Sequence, residues 1–112
     1  MRVIVCGGRN YRNEAEIARR LGAFHARHGI ECIIHGGYRG LDRLAARWGE
    51  RNGIPTLAVL ADWNRYGDAA GPIRNRAMLR EKPDAVIAFE GGNGTADMIR
   101  QALFAGLQVF LD

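Results

Sequence analysis

Lysine is nearly absent from this chain. Of sixteen basic residues only Lys82 is a lysine, and the rest are arginines. Cysteine is as scarce. Cys6 and Cys32 stand alone, outside any C-x-x-C pattern and within apolar stretches. That excludes a disulfide framework and a cysteine zinc site, and it reads as two buried thiols in a reducing, cytoplasmic setting. The apolar run nearest the N-terminus is Val3–Cys6, too short for a signal peptide or a membrane helix, so no membrane partner is expected. No block of like charge marks a basic tail. G-x-G-x-x-G is missing after the first strand-like segment, and G-x-x-x-x-G-K-[ST] is missing throughout. Their absence disfavours an ordinary dinucleotide dehydrogenase and a P-loop NTPase. The Ser-His-Asp order, nucleophile elbow and zinc spacings are also missing. His25 and His28 share a helix face with no third ligand, and His35 reads as a core-edge histidine. No metal or cofactor is therefore expected.

What is present is the composition of an ordinary globular domain. The 112 residues are 47% hydrophobic and 25% charged, which predicts one domain, 1–112, with a core that needs no staples. The net charge of +4 and pI of about 9.7 permit anionic partners, nucleotides and nucleic acid among them. The arginine bias is equally what a GC-rich genome produces.

Strand and helix signals alternate regularly. Arg2–Cys6, Glu31–His35, Thr56–Leu60, Ala85–Phe89 and Gln108–Leu111 read as buried strands. Asn13–His28 carries Ile17, Leu21 and Phe24 at helical spacing, with Arg12, Arg19, Arg20 and Arg27 mostly on the wet side. Leu41, Leu44, Ala45 and Trp48 define a second helix. Pro72 opens another that runs to about Glu81, and Ile99, Ala102, Leu103 and Gly106 mark a fourth. Residues 61–71 show no period and read as a long loop. The expected fold is α/β, a Rossmann-like three-layer sandwich on a five-stranded parallel sheet of order 3-2-1-4-5. In that order strands one and four are neighbours where the winding reverses, so loops after both open on one crevice.

Those loops carry the candidate residues. Gly7-Gly8-Arg9, Gly36-Gly37 with Gly40, and Gly91-Gly92-Asn93-Gly94-Thr95 follow strands one, two and four. Glycines admit close backbone approach, and the helix start that follows supplies free N–H groups, a pairing suited to phosphate. A tight turn with Thr95 as N-cap is the plain alternative. Arg9, Arg39 and Arg74 lie just beyond strand ends, where a guanidinium can clamp phosphate. Arg76, two residues past Arg74, faces another way on a helix. Asp42 suits either a helix dipole or a ribose hydroxyl. Glu90 and Asp97 are the acids nearest the fourth loop. Trp63 and Tyr66 either stack on a base or cap the core edge, with the cap preferred.

Four ordered stretches, CGGRNY at 6–11, HGGYRGLDRLA at 35–45, AGPIRNRAML at 70–79 and FEGGNGTADM at 89–98, resemble the YspA-like branch of the SLOG superfamily. The resemblance implies a ligand related to nucleotides, nicotinamide or ADP-ribose. Relatives include the cytokinin-activating phosphoribohydrolases and the DNA-processing protein of bacterial transformation. By that resemblance Gly91, Gly92, Gly94 and Thr95 match a phosphate-binding GGxGT core. Gly7 and Gly8 match the first loop, and Arg74 or Arg76 matches an arginine of the catalytic region. The hydrolases carry Glu three residues after the Thr, where this chain has Met98. The resemblance thus implies the pocket better than the reaction. The first expectation is binding or sensing of a nucleotide-like ligand. The second is hydrolysis of a nucleoside monophosphate at its N-glycosidic bond, with Asp97, Glu90 and Arg74 as catalytic candidates. Binding of single-stranded DNA is third. Homodimerisation is implied by the relatives.

Overall fold

The computed structural model describes residues 1–111. Five parallel strands form one sheet: β1 (Arg2–Cys6), β2 (Cys32–His35), β3 (Thr56–Ala58), β4 (Ala85–Ala88) and β5 (Gln108–Phe110). Their order is β3-β2-β1-β4-β5, as the alternation of elements predicts. The central register pairs Val3 with Ala85 and Cys6 with Ala88.

Side chains alternate across a strand, so β1 feeds two cores. Val3 and Val5 join Ile17, Leu21, Leu41 and Ala45 on one face. Ile4 and Cys6 join Met78, Met98 and Ala102 on the other. Helices α1 (Glu14–His28) and α2 (Leu41–Arg51) cover the first face. Helices α4 (Ala70–Leu79) and α5 (Asn93–Phe104) cover the second. The inner strands β1, β2 and β4 are buried on both sides, which is why they read as continuous apolar runs.

Three expectations are corrected. Residues 61–71 are mostly helical rather than a loop: α3 (Trp63–Tyr66) leads through a 3₁₀ turn at Gly67–Ala69 into α4. Asp62 caps α3 by accepting the Arg65 N–H at 3.1 Å. Such short pieces are too brief to show a period. Arg20 does not lie on the wet side. It is buried and donates to the carbonyls of Ala88 at 2.9 Å and Phe110 at 3.2 Å. Its guanidinium sits 4.2 Å from the Phe89 ring centroid, so carbonyls and an aromatic face replace water around the charge. Thr95 is not an N-cap. Gly92 holds that position, and Thr95 is buried inside the first turn of α5.

Candidate functional site

The chain turns in opposite directions after β1 and β4, to α1 on one face and to α5 on the other. The loops that follow these two strands therefore part above the sheet and leave a crevice. A cavity of about 1040 Å³ opens there. Its wall contains Gly7, Gly8 and Arg9 from the first loop, Arg39 and Asp42 from the second, and Glu90–Thr95 from the fourth. Arg74 reaches it from α4.

The three loops are tied to one another. Gly8 N–H donates to the Glu90 carbonyl at 2.9 Å, and the Gly8 carbonyl accepts from Leu41 N–H at 3.1 Å. At Gly91 an added Cβ would lie 2.8 Å from the Gly8 nitrogen, and at Gly40 it would lie 2.5 Å from the Arg9 carbonyl. Gly40 also has φ +79°, a conformation that L side chains resist. Gly40 is explained by backbone packed on backbone, and Gly91 by the Thr95 side chain together with the Gly8 backbone. Gly92 and Gly94 differ. Among the described residues, apart from chain neighbours and the helix's own backbone, no atom lies within 4 Å of where a Cβ would stand at either position. Their smallness keeps space open in the wall.

Helix α5 starts in that wall. No side chain among the described residues caps it, so its first N–H groups and the positive end of its dipole have only solvent or a ligand to meet.

A polar relay runs from the second loop to the fourth. Arg74 Nη1 donates to the Gly36 carbonyl at 3.0 Å, and its Nε donates to Asn75 Oδ1 at 3.1 Å. Asn75 Nδ2 donates to the Gly94 carbonyl at 3.1 Å and to Asp97 at 2.9 Å. Two of the five N–H donors of Arg74 are thus committed. Arg76 is exposed and outside the cavity wall. The two-residue spacing separates the pair as helical geometry requires.

Asp42 is buried. Its carboxylate accepts the Tyr38 N–H at 3.2 Å and so holds the second loop. Burial raises its pKa, while the Tyr38 and Gly36 N–H groups and the Arg74 charge oppose that rise. Burial, with the Asp42 charge second, pushes the Cys6 thiol in the cavity floor up to about 12. Such a shift disfavours the thiolate that a nucleophile needs.

The two acidic candidates separate. Glu90 is exposed and lines the cavity. Asp97 lies outside the wall and accepts from Asn75, from Gln101 at 2.7 Å and from Arg100 at 3.3 Å. The Asn75 bond joins α4 to α5, and the other two lie within α5. Met98 is fully buried in the second core. Among the remaining second-loop glycines, Gly36 backs the Arg74 guanidinium and Gly37 meets Leu60. Gly36, Gly37 and Gly40 are absent from the wall of the large cavity.

Trp63 does not cap the core edge. It is 47% exposed, lines the cavity and lies 6.4 Å from the Tyr38 ring. Tyr66 is exposed outside that wall. Sequence reasoning passed over Tyr11, Glu16 and Asn75. The only signal for Asn75 was a polar residue at a helical position that the apolar stripe of α4 should occupy. Among the described residues no cluster of His, Cys, Asp and Glu is gathered to hold a metal ion. No helix among them is long and apolar enough to cross a membrane.

A parallel sheet of this order with a glycine-lined crevice at its winding reversal defines a Rossmann-like α/β protein. Residues 1–66 match the family described as YspA, cpYpsA-related SLOG, and the chain belongs to that family. It is also similar to the gene 61 protein of Mycobacterium phage D29. The two are 32% identical over 117 residues, covering 96% of this chain and 93% of the phage protein.

Proposed function

We propose that the chain binds a nucleotide or nucleotide-derived ligand in the large cavity, with a phosphate at the start of α5. The observation that carries this reading is the uncapped α5 N-terminus beside Gly92 and Gly94, whose Cβ positions are empty. An anion there meets free N–H groups and a favourable dipole. Arg9, Arg39 and Arg74 supply positive charge around it, and Gly7, Gly8 and Gly91 bring backbone close. Tyr38 and Trp63 offer aromatic faces to a base. Membership of the SLOG family is consistent with nucleotide-related binding. The test is thermal unfolding with AMP, ADP-ribose and nicotinamide mononucleotide. A ligand specific for the native state at one hundred times its Kd adds about 2.7 kcal/mol. No shift with any of the three, at millimolar concentration, contradicts the reading.

Hydrolysis of an N-glycosidic bond is a second reading, favoured by one observation: the Glu90 carboxylate is exposed in the wall beside the phosphate loop. Chromatographic detection of free base from AMP, for the wild type and Glu90→Gln, decides it. Two assignments accompany the first reading. Pairing of two copies is supported by Leu103 and Phe104, exposed at the end of α5, and a monomer in light scattering at high micromolar concentration contradicts it. A cytoplasmic location is supported by the free, buried Cys6 and Cys32.

A further inference from the structure

A second groove of about 400 Å³ adjoins the large cavity, and Arg9, Asn10, Tyr11, Arg12 and Arg39 belong to both walls. Arg43 and Arg47 complete its basic lining, and Glu14 is its sole acidic lining residue. The groove thus gathers five arginines around a small space. Among the described residues none of the five forms an ion pair. Gathering like charges without ion pairs opposes folding, and the groove sets only Glu14 against its five arginines. A polyanion would balance the rest.

The arrangement is also directional. Arg43 and Arg47 are four residues apart on α2, so they share a face and stand about 6 Å apart along the axis. Arg39 lies before the helix, in the loop that Gly40 turns at φ +79°, and lines both groove and cavity. Arginines thus continue from the wall shared with the large cavity onto α2, and this file lines the groove. One phosphate at α5 leaves this file unused.

We propose that the ligand is a linked nucleotide bearing phosphates beyond the first. One unit occupies the large cavity, and the next phosphates lie along Arg39, Arg43 and Arg47. This rests on the nucleotide reading above and adds the ligand's class to it. A pyrophosphate-linked dinucleotide and the 5′-phosphorylated end of an oligonucleotide share this chemistry.

The experiment measures calorimetric affinities for AMP, ADP-ribose and a 5′-phosphorylated hexathymidylate. The proteins are the wild type, an Arg43→Gln/Arg47→Gln variant and an Arg27→Gln/Arg51→Gln variant. The last pair removes the same charge away from the groove, and all four positions are exposed. A linked ligand should bind the wild type on the order of tenfold more tightly than AMP. The groove variant should lose that gain and keep its AMP affinity, and the control variant should match the wild type. For the hexamer, the slope of log K against log salt should become shallower by about 1.4 in the groove variant, from two lost phosphate contacts. Dependence on Arg43 and Arg47 with ADP-ribose alone identifies a pyrophosphate-linked ligand, and with the hexamer alone an oligonucleotide end. AMP binding with no gain for either linked ligand, or a gain that survives in the groove variant, overturns this inference and leaves the nucleotide reading standing. Failure of all three ligands to bind overturns both.

Discussion

The Gly8 N–H donates to the Glu90 carbonyl at 2.9 Å, and this bond joins the loops after β1 and β4 at the point where the winding reverses. Gly40 completes the junction. It presses on the Arg9 carbonyl with φ +79°. Gly40→Ala should therefore lose at least about 2 kcal/mol, from the left-handed backbone and the clash together. Gly92→Ala should stay within about 0.5 kcal/mol of the wild type, because its Cβ enters open space. Urea denaturation of both variants measures the contrast. Equal stabilities would show that the second loop is not locked to the first.

Asp97 serves structure in this account. Asn75 is 2% exposed and supplies one of its three donors. Asn75→Ala should cost about 2 kcal/mol, since it leaves part of the Asp97 carboxylate and the Gly94 carbonyl unmet. Weak or no release of base from AMP is expected of the wild type, and Asp97→Asn should not change it. Robust turnover lost in Asp97→Asn would give Asp97 a catalytic role.

Much of this was legible in the sequence. The strands announced themselves because β-branched residues run without polar interruption, and the sheet order followed from their alternation with helices. The glycine pairs were visible, but their roles were not. Sequence cannot separate Gly40, squeezed by the Arg9 backbone, from Gly94, which faces open space. Trp63 was misplaced because α3 is a single turn, too short for a hydrophobic period. Arg20 was misplaced because its partners are carbonyls at the ends of distant strands. Such partners leave no mark on a helix pattern.

His35 makes stability depend on pH. Burial lowers its pKa, Glu50 opposes this, and Nδ1 accepts the Gly37 N–H at 3.0 Å. The native state thus favours neutral imidazole, and the unfolded chain takes up the proton first. The contribution is full above the unfolded pKa of about 6.5 and is lost as pH falls through the lowered native value. Denaturant midpoints at pH 7.5 and 5.0 should differ less in His35→Gln than in the wild type. An identical difference would remove His35 from the account.

Cys6 lines the cavity floor, yet burial pushes its thiol up to about 12. Iodoacetamide at pH 8 should modify it far more slowly in the native protein than in urea, because almost no thiolate is present. Mass spectrometry of the modified peptide follows the reaction. Native alkylation at the rate of the unfolded chain would mean an open, charged sulfur.

Calorimetric titration of AMP and ADP-ribose into wild type and Gly94→Val shows whether phosphate sits at the start of α5. Position 94 has room for a side chain within the protein itself, so circular dichroism should show the variant folded. Its isopropyl group would stand where the anion approaches. The wild type should bind, and Gly94→Val should lose at least about tenfold in affinity, the value of one charge-assisted hydrogen bond or more. Unchanged affinity in the folded variant would contradict a phosphate at the start of α5.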